Sequence, residues 1–237
     1  MKIYYDLHIH SALSPCGDND MTPNNIVNMS ILKGLDAIAI TDHNACGNVR
    51  AAMKVAEDKI IVIPGMEIET AEEVHMVSLF PDIESAEEME RIIRKNSIPV
   101  ENKVEIFGNQ YYMNENDEII GEEPNLLVTA TGLDIYSVVN NVKDLGGVVY
   151  PAHIDRSSYS VLSNLGFIPP DLNFNIVEIT AKNREKMEPE YSDYDIVTSS
   201  DAHYLWDISE KTYNLDICDK NIDEILSKLS DKKIRNL

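Results

Sequence analysis

The chain has 237 residues and a formal net charge of −21, from 41 acidic and 20 basic side chains. Its length suits a single α/β barrel, and because no basic stripe is present, long duplex nucleic acid is expected to be a poor partner. The chain lacks a long apolar stretch and the apolar segment of a secretory leader, which predicts a cytoplasmic protein with no membrane partner. Three cysteines at unpatterned spacings predict no disulfide framework.

Short apolar runs alternate with helix-like stretches along most of the chain. The runs that predict strands cover residues 3–9, 37–40, 60–63, 74–80, 148–150, 176–179 and 195–198. Thr22 followed by Pro23 is typical of a helix start. A second helix is predicted after Asp134, where apolar residues recur every three or four positions. Near the C-terminus, Asn221 and Glu224 resemble a capping box.

This alternation favours parallel strands with crossover helices, and about seven strands favour a closed or nearly closed barrel. Residues 102–124 break the rhythm, because two strand-like runs there flank an Asn- and Asp-rich turn at residues 114–117. We expect a β-hairpin insertion at 102–124, within one domain that covers residues 1–237. The hairpin would either cover the functional site or form an ordinary surface excursion.

Polar residues that can bind metals follow five of the predicted strands. "IYY" leads into "DLHIH", "AIAI" into "TDH", "IIVIPG" into "ME", "GVVYP" into "AH" and "DIVTSS" into "DAH". The carboxyl ends of parallel strands converge on one face of an α/β barrel, and that face carries the active site. All six histidines lie in or beside predicted strands, at positions 8, 10, 43, 75, 153 and 203. Bystander histidines would have no reason to follow apolar runs, so a shared metal site is predicted.

The spacing within two of these motifs is suited to binding a cation. Side chains two apart on a strand point to the same side. His8 and His10 can therefore bind one cation as a pair, with Asp6 on the same face as a structural partner. Asp201 and His203 repeat the arrangement. Neutral imidazole with carboxylate oxygen suits Zn²⁺, Mn²⁺ or Fe²⁺ better than Mg²⁺ or Ca²⁺, and so many ligands predict more than one ion.

In their order along the chain, these motifs resemble those of the polymerase and histidinol phosphatase (PHP) family of metal-dependent phosphoesterases. The matching segments are "DLHIHS" from residue 6, "TDHN" at 41–44, "GMEI" at 65–68, "VH" at 74–75, "PAH" at 151–153 and "SDAH" at 200–203. The set is specific, although an HxH motif alone would be weak. The resemblance implies a distorted (β/α)7 barrel of the PHP type whose C-terminal face holds two or three divalent ions.

The resemblance also implies which residues bind each ion. The implied sets are His8, His10, Glu67 and Asp201 for the first metal, Glu67, His75 and His153 for the second, and His43 with His203 for the third. Glu67 would bridge the first two ions.

The third set departs from the family pattern. The family usually supplies an Asp, Glu or His five or six residues after the second histidine of HxH, where this chain has Pro15 and Cys16. Asp18, Asp20 or the Cys16 thiolate could substitute, or the third site could be weak. Asp18 and Asp20 are slightly favoured.

Five residues are candidates for a direct role in catalysis or substrate binding. His203 or His43 could protonate a leaving group if a metal does not fully engage them. Asp201 is also predicted to be a catalytic residue. Arg156, three residues after His153, could hold a phosphate with its guanidinium fork or form a surface ion pair. Arg184 is a weaker substrate-binding candidate.

Three further residues have open roles. Tyr204 and Trp206, just past the last motif, could stack on a base or ring, or could only pack. Glu178, inside a predicted strand, is expected to be structural or to face the substrate.

The expected function is hydrolysis of a small phosphorylated metabolite, of the nucleotide or histidinol phosphate type, by metal-activated water. Three alternatives remain at this stage: a nuclease or phosphodiesterase of the proofreading type, an amidohydrolase-like C–N hydrolase, and a metal-binding domain without catalysis. An amidohydrolase would be expected to carry a lysine at the end of a middle strand, where this chain has Glu67.

Overall fold

The computed structural model describes residues 1–231, and a curled six-stranded sheet forms its centre. The strands are β1 (Lys2–Ile9), β2 (Ala37–Ile40), β3 (Ile61–Glu69), β4 (His75–Leu79), β5 (Tyr111–Met113), β6 (Ile119–Glu122), β7 (Val148–Pro151), β8 (Ile176–Glu178), β9 (Asp195–Val197) and β10 (Asn214–Asp216). The helices are α1 (Pro23–Leu32), α2 (Val49–Ala56), α3 (Ile83–Asn96), α4 (Val104–Phe107), α5 (Ile135–Asp144), α6 (Val161–Leu165), α7 (Arg184–Met187) and α8 (Ile222–Ser230).

The central sheet has the order β10-β1-β2-β3-β4-β7, and β8 pairs with β9 beside it. Strands β1, β2 and β3 are parallel, as are β8 and β9. After β9 the chain returns to β1, where the His10 amide donates to the Ala202 carbonyl at 2.9 Å. The chain therefore has an α/β barrel-like fold, in agreement with the broad prediction.

The expectation of parallel strands is wrong for β4, which is antiparallel to both β3 and β7. Only residues 70–74 separate β3 from β4, which is too short a connection for a crossover helix. As a result, His75 begins β4 directly opposite Glu69 at the end of β3. His75 reaches the same rim as the strand ends because its own strand runs in the opposite direction.

Apolar residues from the inward side of the barrel strands form one core cluster, which α8 covers, and a second cluster lies between the sheet and the other helices. Ile3, Tyr5 and Leu7 belong to the inner cluster and Ile9 to the outer one. The β1–β2 register shifts between Asp6 and Ile9. Strict alternation along β1 is therefore interrupted just where the HxH motif begins.

The predicted helix starts are confirmed at three N-caps. The side chains of Thr22, Asp134 and Asn221 each accept a hydrogen bond from the amide three residues later.

The segment 102–124 differs in part from its prediction. Its first half contains the short helix α4, and the antiparallel strands β5 and β6 follow it. The Asn114 side chain organises the turn between these strands by accepting from the amides of Asn116 and Glu118.

None of the helices within residues 1–231 is long and apolar enough to span a bilayer.

Candidate metal centre

All six histidines meet at one rim of the barrel. Their rings form a continuous set of neighbours with centroid separations from 4.4 Å, between His10 and His203, to 6.0 Å, between His8 and His153. His8 and His10 come from the end of β1, and His43 comes from the turn after β2. The predicted convergence of these residues is confirmed.

Glu67, near the end of β3, lies at the centre of this cluster and is buried. Its Oε1 is 2.9 Å from His75 Nδ1 and 3.0 Å from His153 Nε2. Its Oε2 is 3.2 Å from His43 Nδ1 and 3.4 Å from His10 Nε2. Burial alone would raise the pKa of Glu67, but the surrounding histidines outweigh it and hold that pKa well below its usual value. A carboxylate with histidines on both oxygens is placed to bridge two cations.

His8 and His10 are oriented by hydrogen bonds on their far nitrogens. His8 Nδ1 lies 3.1 Å from both oxygens of Glu178, and His10 Nδ1 lies 3.0 Å from Ser14 Oγ. With Nδ1 donating in each ring, the Nε2 lone pairs converge, and those two atoms are 3.3 Å apart. Asp201 Oδ1 is 3.4 Å from one and 3.1 Å from the other. Lone pairs and a carboxylate directed at one point repel each other unless a cation lies between them.

Without a cation, protons take its place. Burial would lower the pKa of His8, but the charges of Glu178, Asp201 and Glu67 outweigh it and raise that pKa well above its usual value. Burial likewise opposes ionisation of Asp201, but the charge of His8 and the hydrogen bond with His10 lower its pKa. The same charges that hold protons here would hold a metal ion.

The orienting residues were largely missed by the sequence analysis. Glu178, predicted to be structural or to face the substrate, fixes the tautomer of His8, as carboxylates commonly do for metal-binding histidines. Ser14 Oγ donates to Asp42 Oδ1 at 2.6 Å, and Asp42 also accepts from Ser11 Oγ at 2.6 Å. The one available signal was the charged Glu178 inside an apolar run, since nothing in the sequence links Ser14 to Asp42.

Asp6 does not join the cluster. Its carboxylate accepts from the Ser200 amide at 3.0 Å and from the Ser209 amide at 2.8 Å. It therefore fastens the loop that carries Asp201 and His203, as the predicted structural partner would.

Asp201 itself has a φ of 52°, and His153 has a φ of 28°. Such positive φ values are costly for these residue types and are concentrated at functional sites.

The third predicted group contains Cys16 instead of an aspartate. Cys16 Sγ lies 3.1 Å from His203 Nε2 and groups with His10 and His43. Asp18 and Asp20 are in none of the potential metal-binding groups within residues 1–231. Asp18 Oδ1 instead accepts from the Asp20 amide. The geometry therefore favours Cys16 over Asp18 and Asp20 as the third donor, because its sulfur faces His203.

The donor atoms fit divalent metals. Within the described residues, three groups of side chains have ligand atoms that all lie within 4.8 Å of one another. The first group is His8, His10, Glu67 and Asp201, the second is His43, Glu67 and His75, and the third is His10, Cys16, His43 and His203. Among residues 1–231, His153 Nδ1 is also buried without a hydrogen-bond partner. Buried polar atoms are rarely left unpaired, so this pattern fits bound cations.

His43 and His203 are held in the neutral form. Burial and the charge of His10 lower the pKa of His203 to about 4. Burial, followed by the charge of His10, also lowers the pKa of His43 well below its usual value. Neutral imidazole is the form that binds a metal, whereas a general acid must carry a proton. The geometry therefore favours ligand roles for these two residues over protonation of a leaving group.

The two predicted substrate-binding arginines lie in different surroundings. Arg156 Nη2 is 2.5 Å from Asp201 Oδ2, and the arginine side chain is 45% exposed. Arg156 therefore forms an ion pair, as one of its two predicted roles required, but the partner is an acid of the metal centre and not a surface acid. Arg184 Nη1 donates to Thr198 Oγ1 at 2.8 Å, and its guanidinium lies over the Tyr213 ring. These contacts do not bring Arg184 to the cluster.

Two curated proteins are similar in sequence to parts of this chain. An uncharacterized protein of Methanocaldococcus jannaschii is 27% identical over 188 residues, which cover 78% of this chain and 21% of that protein. The 5'-3' exoribonuclease Rnm of Salmonella typhimurium is 33% identical over 87 residues, which cover 34% of this chain and 29% of that enzyme. The chain thus spans less than a third of each of these curated relatives.

Solved structures share the fold at low sequence identity. Endonuclease Q from Pyrococcus furiosus has a TM-score of 0.70 at 18% identity, covering 96% of this chain and 55% of that chain. A candidate metal-dependent phosphoesterase from Bifidobacterium adolescentis has a TM-score of 0.61 at 18% identity, covering 95% of both chains. The PHP domain family matches residues 6–148, which is more than half of the sequence. The chain therefore belongs to the PHP domain family.

Proposed function

We propose that the chain is a metal-dependent phosphoesterase that acts as a phosphatase on a small phosphorylated metabolite, of the nucleotide or histidinol phosphate type. The observation that carries the proposal is the convergence of two histidine nitrogens, Glu67 and Asp201 on one buried point. The other two ligand groups share residues with the first. Ligands that belong to two groups would hold cations close together, which suits hydrolysis of a phosphate ester.

The proposed ligands are those implied by the family resemblance, with Cys16 added to His43 and His203. Imidazole and carboxylate donors favour Zn²⁺, Mn²⁺ or Fe²⁺, and a thiolate shifts the third group towards Zn²⁺. When bound, such ions would neutralise phosphoryl oxygens and lower the pKa of an attacking water.

The remaining task of the protein is to position the ester. In the reaction, a water oxygen bonds to phosphorus, the ester P–O bond breaks, and the leaving alcohol takes a proton. Arg156 lies at the rim with its side chain 45% exposed, where its guanidinium can bind phosphoryl oxygens. Glu178 and Ser14 hold His8 and His10 in place throughout, because each accepts from an Nδ1–H on the side away from the cluster.

Phosphate release tests the proposal. Purified protein supplied with Mn²⁺, Zn²⁺ or Fe²⁺ should release phosphate from p-nitrophenyl phosphate or from members of a metabolite panel. His8→Ala should abolish release, while Asp58→Ala, at an exposed position on the protein surface, should not change it. No release from a broad panel by protein that contains metal would overturn the proposal.

A nuclease is the second candidate, and two observations favour it. The aligned Salmonella relative is an exoribonuclease. A structure of endonuclease Q with a 27-mer duplex that carries an abasic lesion has a TM-score of 0.68 to this chain. This similarity conflicts with the expectation, drawn from net charge, that long duplex nucleic acid is a poor partner. Release of mononucleotides from labelled single strands, or cleavage of a duplex at an abasic site, would place the nuclease first.

An amidohydrolase from Chromobacterium violaceum also shares the fold, with a TM-score of 0.61 at 16% identity. Hydrolysis of a C–N bond without phosphate release would favour that third alternative.

A further inference from the structure

Two exposed aromatic rings lie just beyond the last metal-binding motif. The rings of Tyr204 and Trp206 are stacked with centroids 4.8 Å apart and planes 14° apart. Trp206 is 71% exposed and Tyr204 is 40% exposed. A pair of exposed, stacked rings forms a flat apolar surface of the kind found at binding sites. We call this pair the aromatic platform.

The platform is held rigidly by the loop that also carries Asp201 and His203. Asp6 binds amides at both ends of this loop, at Ser200 and Ser209. Lys33 Nζ donates to the carbonyl oxygens of Trp206 and Ile208. The rings therefore keep a fixed position relative to the metal-binding residues, which lowers the entropic cost of binding a ligand.

A cavity of about 770 Å³ lies beside the platform. Its lining includes Trp206, Arg156, Lys182, Asn183 and Ser200. Arg156 connects it to the cluster through its ion pair with Asp201. Lys182 is exposed and makes no salt bridge to any residue in the described range 1–231. The cavity also contains Lys33 and the acids Asp155, Asp207 and Glu210. Lys33 pairs with Glu210, and Arg156 pairs with Asp201 of the metal centre. The cavity thus combines the Trp206 ring with the unpaired cation of Lys182 beside the metal centre.

We propose that the aromatic platform binds the nucleobase of a substrate whose phosphate is hydrolysed at the metal centre. This inference rests on the proposed phosphoesterase function and narrows its substrate class. A flat, sequence-independent π surface is what base stacking requires. Arg156 and Lys182 supply the positive charge that a nucleotide phosphate needs. The base comes either from a mononucleotide or from the terminal nucleotide of a short single strand.

Trp206 is the chain's only tryptophan, so its fluorescence reports on the platform directly. An AMP analogue with a methylene in place of the ester oxygen should quench this fluorescence saturably in the metal-loaded protein. Ribose 5-phosphate should not quench it. Saturation by a 5'-phosphorylated tetranucleotide at a lower concentration than the AMP analogue would identify a strand terminus as the source, and the reverse order would identify a mononucleotide. Absence of quenching by both ligands would overturn the inference.

Kinetics provide a second readout. Trp206→Leu should lower kcat/KM for AMP about tenfold through KM, and should leave ribose 5-phosphate hydrolysis unchanged. Trp206→Phe should recover most of the loss. Phe167→Leu, which removes another exposed ring, should have no effect.

Equal losses with both substrates would refute base stacking while leaving the phosphatase proposal intact. Failure to hydrolyse any phosphate ester would instead refute the phosphatase proposal, and the fluorescence titration would still test the platform.

Discussion

Glu178 accepts from His8 Nδ1 with both carboxylate oxygens at 3.1 Å, although the two residues are 170 positions apart in the chain. Both side chains are fully buried. The bond joins the third strand from the end of the chain to the first strand, and it turns the His8 Nε2 lone pair towards Glu67 and Asp201. The orientation of one predicted ligand therefore depends on a residue that lies outside the ligand set.

Loss of the Glu178 carboxylate should weaken metal binding. We expect Glu178→Ala to lower affinity for Zn²⁺ or Mn²⁺ about 10- to 100-fold, because His8 loses the partner that fixes its tautomer and ring position. Isothermal titration of metal-free protein measures this affinity. Glu185→Ala changes an exposed glutamate nearby and serves as the control. Unchanged affinity in Glu178→Ala would mean that the pair is only structural.

Cys16 should bind metal through its sulfur. Protein loaded with Co²⁺ is expected to show a thiolate-to-cobalt charge-transfer band in the near ultraviolet, and Cys16→Ser should lose it. Cys218→Ser removes another exposed cysteine and should keep the band. Cys16→Asp, which supplies the oxygen ligand usual in the family, should keep the metal content and lose the band. A band that persists in Cys16→Ser would exclude the thiolate from the site.

Metal removal should destabilise the fold. A cation that binds the donors around Glu67 would bind only the folded chain, and a ligand at 100 times its Kd stabilises a protein by about 2.7 kcal/mol. Chelation should therefore lower Tm, and added Zn²⁺ or Mn²⁺ should restore it. His8→Ala should show a smaller metal-dependent change in Tm. An identical Tm with and without chelator, in protein proven to contain metal, would contradict this expectation.

Arg156 should contribute to substrate binding. Arg156→Lys keeps the charge but loses the planar fork, and we expect it to raise KM for a phosphate ester about tenfold with unchanged metal content. Arg91→Lys, at an exposed ion pair on α3, should leave KM unaltered. A loss of metal in Arg156→Lys would show instead that the arginine supports Asp201.

Acid should weaken one contact far from the metal centre. Asp36 Oδ2 accepts from the Tyr4 amide and Oδ1 pairs with Lys220 Nζ, both at 2.9 Å. Burial opposes ionisation of Asp36, but these contacts outweigh it and lower the pKa of Asp36 below its usual value of 3.8. Its contribution is therefore present above pH 3.8 and disappears as pH falls through the lowered pKa.

Urea unfolding of Asp36→Asn and of the unaltered protein tests this. At pH 7 the substitution should lower the free energy of unfolding by about 1 kcal/mol. The difference should shrink as the pH falls below the ordinary carboxyl range. A difference that stays constant with pH would show that ionisation of Asp36 does not contribute.

The sequence by itself determined that the six histidines, Glu67 and Asp201 belong to the candidate centre. Motifs such as "DLHIH" and "SDAH" follow apolar runs, and strand ends must lie together at a barrel rim, so local pattern was enough to bring His8 and His203 to one place. The helix starts were equally local, because a cap such as Thr22 bonds within its own first turn.

Only the tertiary structure decided the partners that face each other across the fold. The direction of β4, the Glu178–His8 bond and the choice of Cys16 over Asp18 depend on how distant segments pack. No spacing rule encodes them, because a side chain can be oriented by a strand that arrives 170 residues later. The local sequence pattern thus identifies the residues that can bind metal. Their orientation and the identity of the third ligand depend on how distant segments pack when the barrel closes.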